Sequence, residues 1–182
     1  MRQLKYHEKK LLKKVDFLNW KSDDSLREIQ VMRRYHIQNR DDYKKYNKIA
    51  GYIQKLTSKL KQLDSTDPER IEMTDQLLTK LYNMGIITAK KSLVQCEKLA
   101  VSAFCRRRLS VVMVRLKMAE TLKVACTLIE QGHIRVGPET VMDPAYHVTL
   151  NMEDFVTWVD NSKIKRKVLK YNDKLDDYDL LL

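Results

Sequence analysis

The chain is 182 residues long and carries 35 Lys and Arg against 24 Asp and Glu, a net charge of +11. That length supports one or two small domains with a real core, and that charge points to a polyanionic partner. No apolar run approaches a membrane span, the basic N-terminus lacks the apolar stretch of a signal peptide, and Cys96, Cys105 and Cys126 lack CxxC spacing, so inert thiols in a reducing compartment are expected.

From Leu4 to Trp20, Leu4, Leu11, Leu12, Val15 and Leu18 recur at helical spacing, opposite Lys9, Lys10, Lys13 and Lys14. A phosphate-binding arm that orders on its target is the preferred reading; an ordinary amphipathic helix is the other, with a calmodulin or membrane-surface helix as a minor option. Ser22 to Ser25 makes a polar break, and Leu26, Ile29 and Met32 begin a helix decorated by Arg33, Arg34 and His36. Asn39 is placed to cap a longer helix in which Tyr43, Tyr46, Ile49, Ile53, Leu56, Leu60 and Leu63 form an apolar stripe. A stripe of about three heptads suits a seam within the chain better than a coiled-coil dimer. Tyr43, Tyr46 and Tyr52 interleave with lysines, which fits packing in that seam and, as a second use, stacking on RNA bases.

Asp67 and Pro68 have the chemistry of a helix cap and first turn. The helix that follows is expected to bury Ile71, Leu77, Leu78, Leu81 and Tyr82 and to end at Gly85. Thr88 to Ser92 is a connector containing Lys90-Lys91, and Ser102 is placed to cap the next element.

The stretch Arg106 to Thr149 organises the rest. Leu109, Val112, Met113 and Leu116 fall at i, i+3, i+4 and i+7, one face of a helix. Arg108 and Arg115 flank that stripe on one edge, Arg106 and Lys117 on the other, and Arg107 is expected to point away from the core. Thr121 can cap a second helix that buries Leu122, Ala125, Leu128 and Ile129, with Gly132 ending it. The period then drops to two, with Ile134 and Val136 opposed to His133 and Arg135. Gly137-Pro138 and Asp143-Pro144 signal turns, and Tyr146 to Thr149 is read as the partner strand. Asp154 to Val159 has strand character, and Ser162 can cap a last helix with Ile164, Val168 and Tyr171 on its apolar side. The end, DKLDDYDLLL, reads either as a frayed tail or as a docking peptide.

Arg107-Arg108-Leu109, Arg115-Leu116, Met118-Ala119, Gln131 to Val136 and Pro144 agree in order and spacing with the RNA-binding module named after ribosomal small-subunit protein four, and the chain resembles that family. The resemblance implies a basic surface, made by two helices and the first strand, that grips folded RNA. Its candidate RNA-binding residues are Arg106, Arg107, Arg108, Arg115, Lys117, Lys123, Gln131, His133 and Arg135, joined by Lys90 and Lys91 of the connector. The run His7 to Leu18 and the stretch from Met152 through Trp158 to Tyr178 are similar to the S-four-like subunits of the U-three small nucleolar ribonucleoprotein. That similarity implies a non-catalytic assembly factor of the small-subunit processome, nucleolar, acting where the small nucleolar RNA pairs with precursor ribosomal RNA. Its implied partners are those two RNAs and processome proteins, one an acidic scaffold; no membrane, small-molecule substrate or cofactor is implied. A structural small-subunit ribosomal protein of the same family is the alternative.

An enzyme built on the same module, like some pseudouridine synthases, would need a catalytic domain. The first hundred residues instead read as basic helices, with no GxxxxGKS/T, GxGxxG or HExxH, and the four histidines are too scattered for a metal site. The expected class is therefore α+β: a basic helical region over 1–101, a helix-helix-strand-loop-strand RNA-binding module over 102–159, and a C-terminal helix with an acidic-apolar tail over 160–182.

Overall fold

A computed structural model describes residues 2–14 and 26–174. Its class is α+β. Helices α1 (Tyr6–Leu12), α2 (Leu26–Arg34), α3 (Arg40–Gln62) and α4 (Pro68–Asn83) form the first half. Two short helices, α5 (Val94–Glu97) and α6 (Val101–Cys105), lead into α7 (Leu109–Arg115) and α8 (Leu122–Glu130). Strands β1 (Ile134–Val136), β2 (Glu139–Thr140) and β3 (Val156–Trp158) make an antiparallel sheet in the order β2-β1-β3, and α9 (Lys163–Tyr171) closes the described chain.

Side-chain chemistry marks the helix ends. The Asp67 carboxylate accepts the Glu69 amide at 3.1 Å with Pro68 in the first turn, Thr121 accepts the Val124 amide at 3.3 Å, and Ser162 accepts the Ile164 amide at 3.2 Å. Asn39 holds the capping position of α3, but its side chain makes no capping bond. Ser102 lies inside α6, whose N-cap is Ala100, so the cap expected there is not made. At the other ends, Gly85 and Gly132 turn left-handed at φ +70° and +73°, and the amides of Ile86 and His133 reach back to the carbonyls of Leu81 and Leu128.

One core joins α3, α4 and the segment 86–104 through Ala50, Ile53, Leu78, Leu81, Ile86, Cys96, Leu99 and Phe104. The buried face of α3 is Ala50, Ile53, Thr57 and Leu60, whereas Ile49, Leu56 and Leu63 are exposed. The expected stripe is thus rotated by about one position. Thr57 can be fully buried because its hydroxyl donates to the Ile53 carbonyl at 2.8 Å. Ile71 is exposed as well, leaving Leu78 and Leu81 as the buried anchors of α4. A second core unites Leu109, Val112 and Met113 of α7 with Ala125 and Ile129 of α8, Ile134 and Val136 of β1, Val148 and Val156. Leu116 lies past the end of α7 and is half-exposed. A small third cluster, Tyr35, Ile37, Val101 and Cys105, ties the end of α2 to α6. All three cysteines are buried, and burial pushes the Cys105 thiol up to about 11, so it is inert.

The stretch Tyr146 to Thr149 does not pair with β1. Both edges of β1 are taken, by β2 and by β3, the latter in the register Ile134↔Trp158 and Val136↔Val156. Residues 146–148 run antiparallel to 107–109 instead: Leu109 donates to Tyr146 O at 2.9 Å, Val148 donates to Arg107 O at 2.9 Å, and Arg108 bridges His147. Of the strand expected over 154–159, Val156–Trp158 forms, while Asp154 and Phe155 belong to a 3-10 turn, Glu153–Phe155. In α1 no residue is buried, and the parts of the N-terminal arm, the polar break and the acidic tail within 15–25 and 175–182 lie outside the described residues.

Candidate RNA-binding surface

The cations at the start of α7 divide into two kinds. Arg107 does not point away from the core; it is 3% exposed. Its Nε donates to Val148 O at 2.9 Å, Nη2 to Thr149 O at 2.8 Å and Nη1 to the Glu153 carboxylate at 2.8 Å. The guanidinium lies over Gly85, where an added Cβ would stand 2.8 Å from its Cζ. Arg108 is 2% exposed, and its Nη1 donates to Asp42 and to the Tyr46 hydroxyl of α3, each at 3.2 Å. Burial works against its charge, but Tyr46 and Asp42 outweigh that and raise its pKa. Tyr46 in turn stacks on Phe104 with ring centroids 5.9 Å apart. These two arginines, expected on the RNA-facing surface, are internal fasteners, because a planar five-donor group satisfies several buried acceptors at once.

The other candidate residues are more open to solvent. Arg106, Lys117, Lys123 and Gln131 are exposed. Arg115 is half-exposed and pairs with Glu153, the same carboxylate that holds Arg107. Arg135 on β1 donates to Thr157 Oγ1 at 3.1 Å and to Asp160 at 2.7 Å. His133 is half-buried, with Nδ1 3.0 Å from the Ser162 hydroxyl. In the connector, Lys90 sits 4.9 Å from the Tyr82 ring centre and Lys91 is exposed. Tyr43 and Tyr46 pack in the helix seam as read, while Tyr52 is exposed with Lys48 over its ring at 5.9 Å.

Lys117 has the least comfortable backbone of this set. It terminates α7 at φ 59°, donating to Val114 O at 3.1 Å while Met118 donates to Met113 O at 3.0 Å. That is the position glycine fills in other helices of this chain, and a side chain there costs about 1 kcal/mol. Lys123, in the first turn of α8, adds a cation at the positive end of a helix dipole whose first turn holds no acidic residue. An anionic ligand at the α7–α8 turn would offset both costs. Sequence spacing found these two lysines but missed the acceptors Asp42, Tyr46 and Glu153, which lie 66, 62 and 46 positions from the arginines they hold. Among the described residues, no group of three or more His, Cys, Asp and Glu could hold a metal ion, and no helix is long and apolar enough to cross a membrane.

Comparison with known proteins matches residues 3–106 to the family described as ribosomal protein S4/S9 N-terminal domain, and residues 107–154 to the S4 domain. U3 small nucleolar ribonucleoprotein protein IMP3 of Saccharomyces cerevisiae is 59% identical over 180 residues, covering 98% of each chain. The mouse protein of the same name is 50% identical over 181 residues, covering 99% of this chain and 98% of its own. Small ribosomal subunit protein uS4 of Hyperthermus butylicus is 26% identical over 151 residues, covering 83% and 85%.

Proposed function

The chain belongs to the family of the U3 small nucleolar ribonucleoprotein proteins IMP3, and from that membership we propose that it is a non-catalytic, RNA-binding component of such a particle. The observation that carries this reading is end-to-end similarity at 59% identity to a protein so named, against 26% to a ribosomal uS4. The alternative, a permanent ribosomal protein of the same fold, is supported only by the weaker similarity.

The proposed contact surface is the α7–α8 turn with β1: Arg106, Arg115, Lys117, Lys123, Gln131 and Arg135, extended by Lys90 and Lys91. Cations on a rigid turn position phosphates, while the helix ends and strand read the shape of a folded RNA. Arg107 and Arg108 serve this surface by holding its frame. His133 belongs to the same frame through Ser162.

In the particle, the protein would help the small nucleolar RNA pair with precursor ribosomal RNA. Neutralising phosphates on both strands lowers their repulsion, which speeds annealing without a nucleotide cofactor. Processome proteins, one of them acidic, would be its neighbours, and the nucleolus its place. Two measurements test the reading. A tagged chain should recover U3 small nucleolar RNA from cell extract, and the pure protein should accelerate annealing of a U3 segment to its precursor complement. If about five phosphates are contacted, log K against log salt should slope near −3.5. No enrichment of U3 RNA would overturn the assignment, and unchanged annealing with intact binding would reduce the role to an anchor.

A further inference from the structure

Helix α9 lies beyond the matched S4 domain and is the most cationic element of the described chain for its length, with Lys163, Lys165, Arg166, Lys167 and Lys170 in nine residues and no acid. Lys163, Arg166, Lys167 and Lys170 fall at i, i+3, i+4 and i+7 and so form one stripe about 10 Å long. Among the described residues none of these four enters an ion pair. At 88% exposure, Tyr171 stands at the edge of that stripe beside Lys167.

The helix is fastened to the module. Val159 donates to His133 O at 3.0 Å, the capping Ser162 hydroxyl sits 3.0 Å from His133 Nδ1, and Asp160 takes Arg135 of β1 on one oxygen and Lys165 of α9 on the other, at 2.7 and 2.8 Å. The start of α9 is therefore fastened to the strand that carries Arg135, with Asp160 bridging the two. A loose solvated tail would need none of these bonds.

We propose that α9 is a second RNA-contacting element, a ledge that takes a single-stranded segment leaving the folded RNA on the module, with Lys163, Arg166, Lys167 and Lys170 on phosphates and Tyr171 against a base. A spaced row of cations next to an exposed aromatic suits an unpaired strand, whose bases have free faces, better than a duplex. The proposal rests on the RNA-binding reading of the module and extends it to a surface beyond the residues matched to the S4 domain.

The test uses the full chain and two labelled RNAs, a stem-loop with a single-stranded extension and the same stem-loop without it. The variant Lys163→Gln, Arg166→Gln, Lys167→Gln, Lys170→Gln should lose about tenfold affinity for the extended RNA and little for the bare stem-loop. Its salt slope should shrink by about 3, the loss of roughly four single-strand phosphate contacts. A Lys117→Gln, Lys123→Gln variant should weaken on both RNAs. Equal binding of the extended RNA by wild type and the α9 variant, with the Lys117/Lys123 variant still defective, overturns the ledge and leaves the module reading intact. Wild-type protein that binds neither RNA overturns both. Should the fourfold variant melt early, Lys163→Gln with Lys167→Gln, both exposed, carries the same comparison. A benzoylphenylalanine at Tyr171 should crosslink to the extension under light. Loss of binding to polyglutamate with RNA affinity intact would assign α9 to an acidic protein and overturn the proposal.

Discussion

At the scale of single residues, neighbouring arginines that look alike in sequence do different work. Arg107 and Arg108 are buried with their acceptors, so Arg107→Ala or Arg108→Ala leaves a carboxylate or carbonyls without a partner and should cost about 3–5 kcal/mol. Arg107→Lys should recover little of that loss, since an ammonium cannot fork to Val148, Thr149 and Glu153 together. Arg106→Ala and Lys123→Ala should leave stability within about 0.5 kcal/mol of wild type and weaken RNA binding. Urea unfolding and RNA titration on these five variants check the division; a stable Arg107→Ala with impaired RNA binding would contradict it. His147 offers a second test. Burial holds its pKa below the usual histidine value, and its Nε2–H donates to Met84 O at 3.0 Å. Protonation thus favours the unfolded chain: the stabilisation is full above about pH 6.5 and is lost as pH falls toward the depressed folded value. Melting temperature should fall as pH drops below about 6.5, and His147→Gln, which keeps an N–H donor, should show a flatter profile. Parallel pH profiles for both proteins would remove His147 as the cause.

At the scale of elements, the α7–α8 turn carries a conflict between comfort and use. Lys117→Gly relieves a left-handed lysine and should stabilise the protein by roughly 1 kcal/mol, while lowering RNA affinity through the lost cation. Thermal melts and RNA titrations decide it; a variant both more stable and equally tight would show that Lys117 touches no RNA. Local chemistry made most elements legible. The caps at Asp67, Thr121 and Ser162, the glycine stops at 85 and 132, and the buried α7 positions Leu109, Val112 and Met113 were all readable from spacing. What spacing could not supply was pairing across the chain. Tyr146 to Thr149 looks like any short strand until Val148 is seen bonding to Arg107, and nothing local to α3 shows that Tyr46 meets Phe104 and Arg108. Such contacts join residues more than forty positions apart and leave no local period.

At the scale of the whole molecule, two cores are tied through one joint. Arg108 reaches Asp42, Leu150 donates to Asn83 O, His147 reaches Met84, and Arg107 rests on Gly85. The helical half therefore frames the module, and the module presents its cations from a fixed base. That design suits a protein that must meet RNA in one orientation, which either a ribosomal protein or an assembly factor requires. Affinity alone does not separate those two, because both would bind through the same turn. Residence does. The most direct measurement is sedimentation of the tagged chain from growing cells, with U3 small nucleolar RNA, precursor ribosomal RNA and polysomes followed across the gradient. The protein should travel with large precursor particles that contain U3 RNA and be absent from translating small subunits. Recovery from polysomes at one copy per small subunit would contradict the account and make the chain a ribosomal protein.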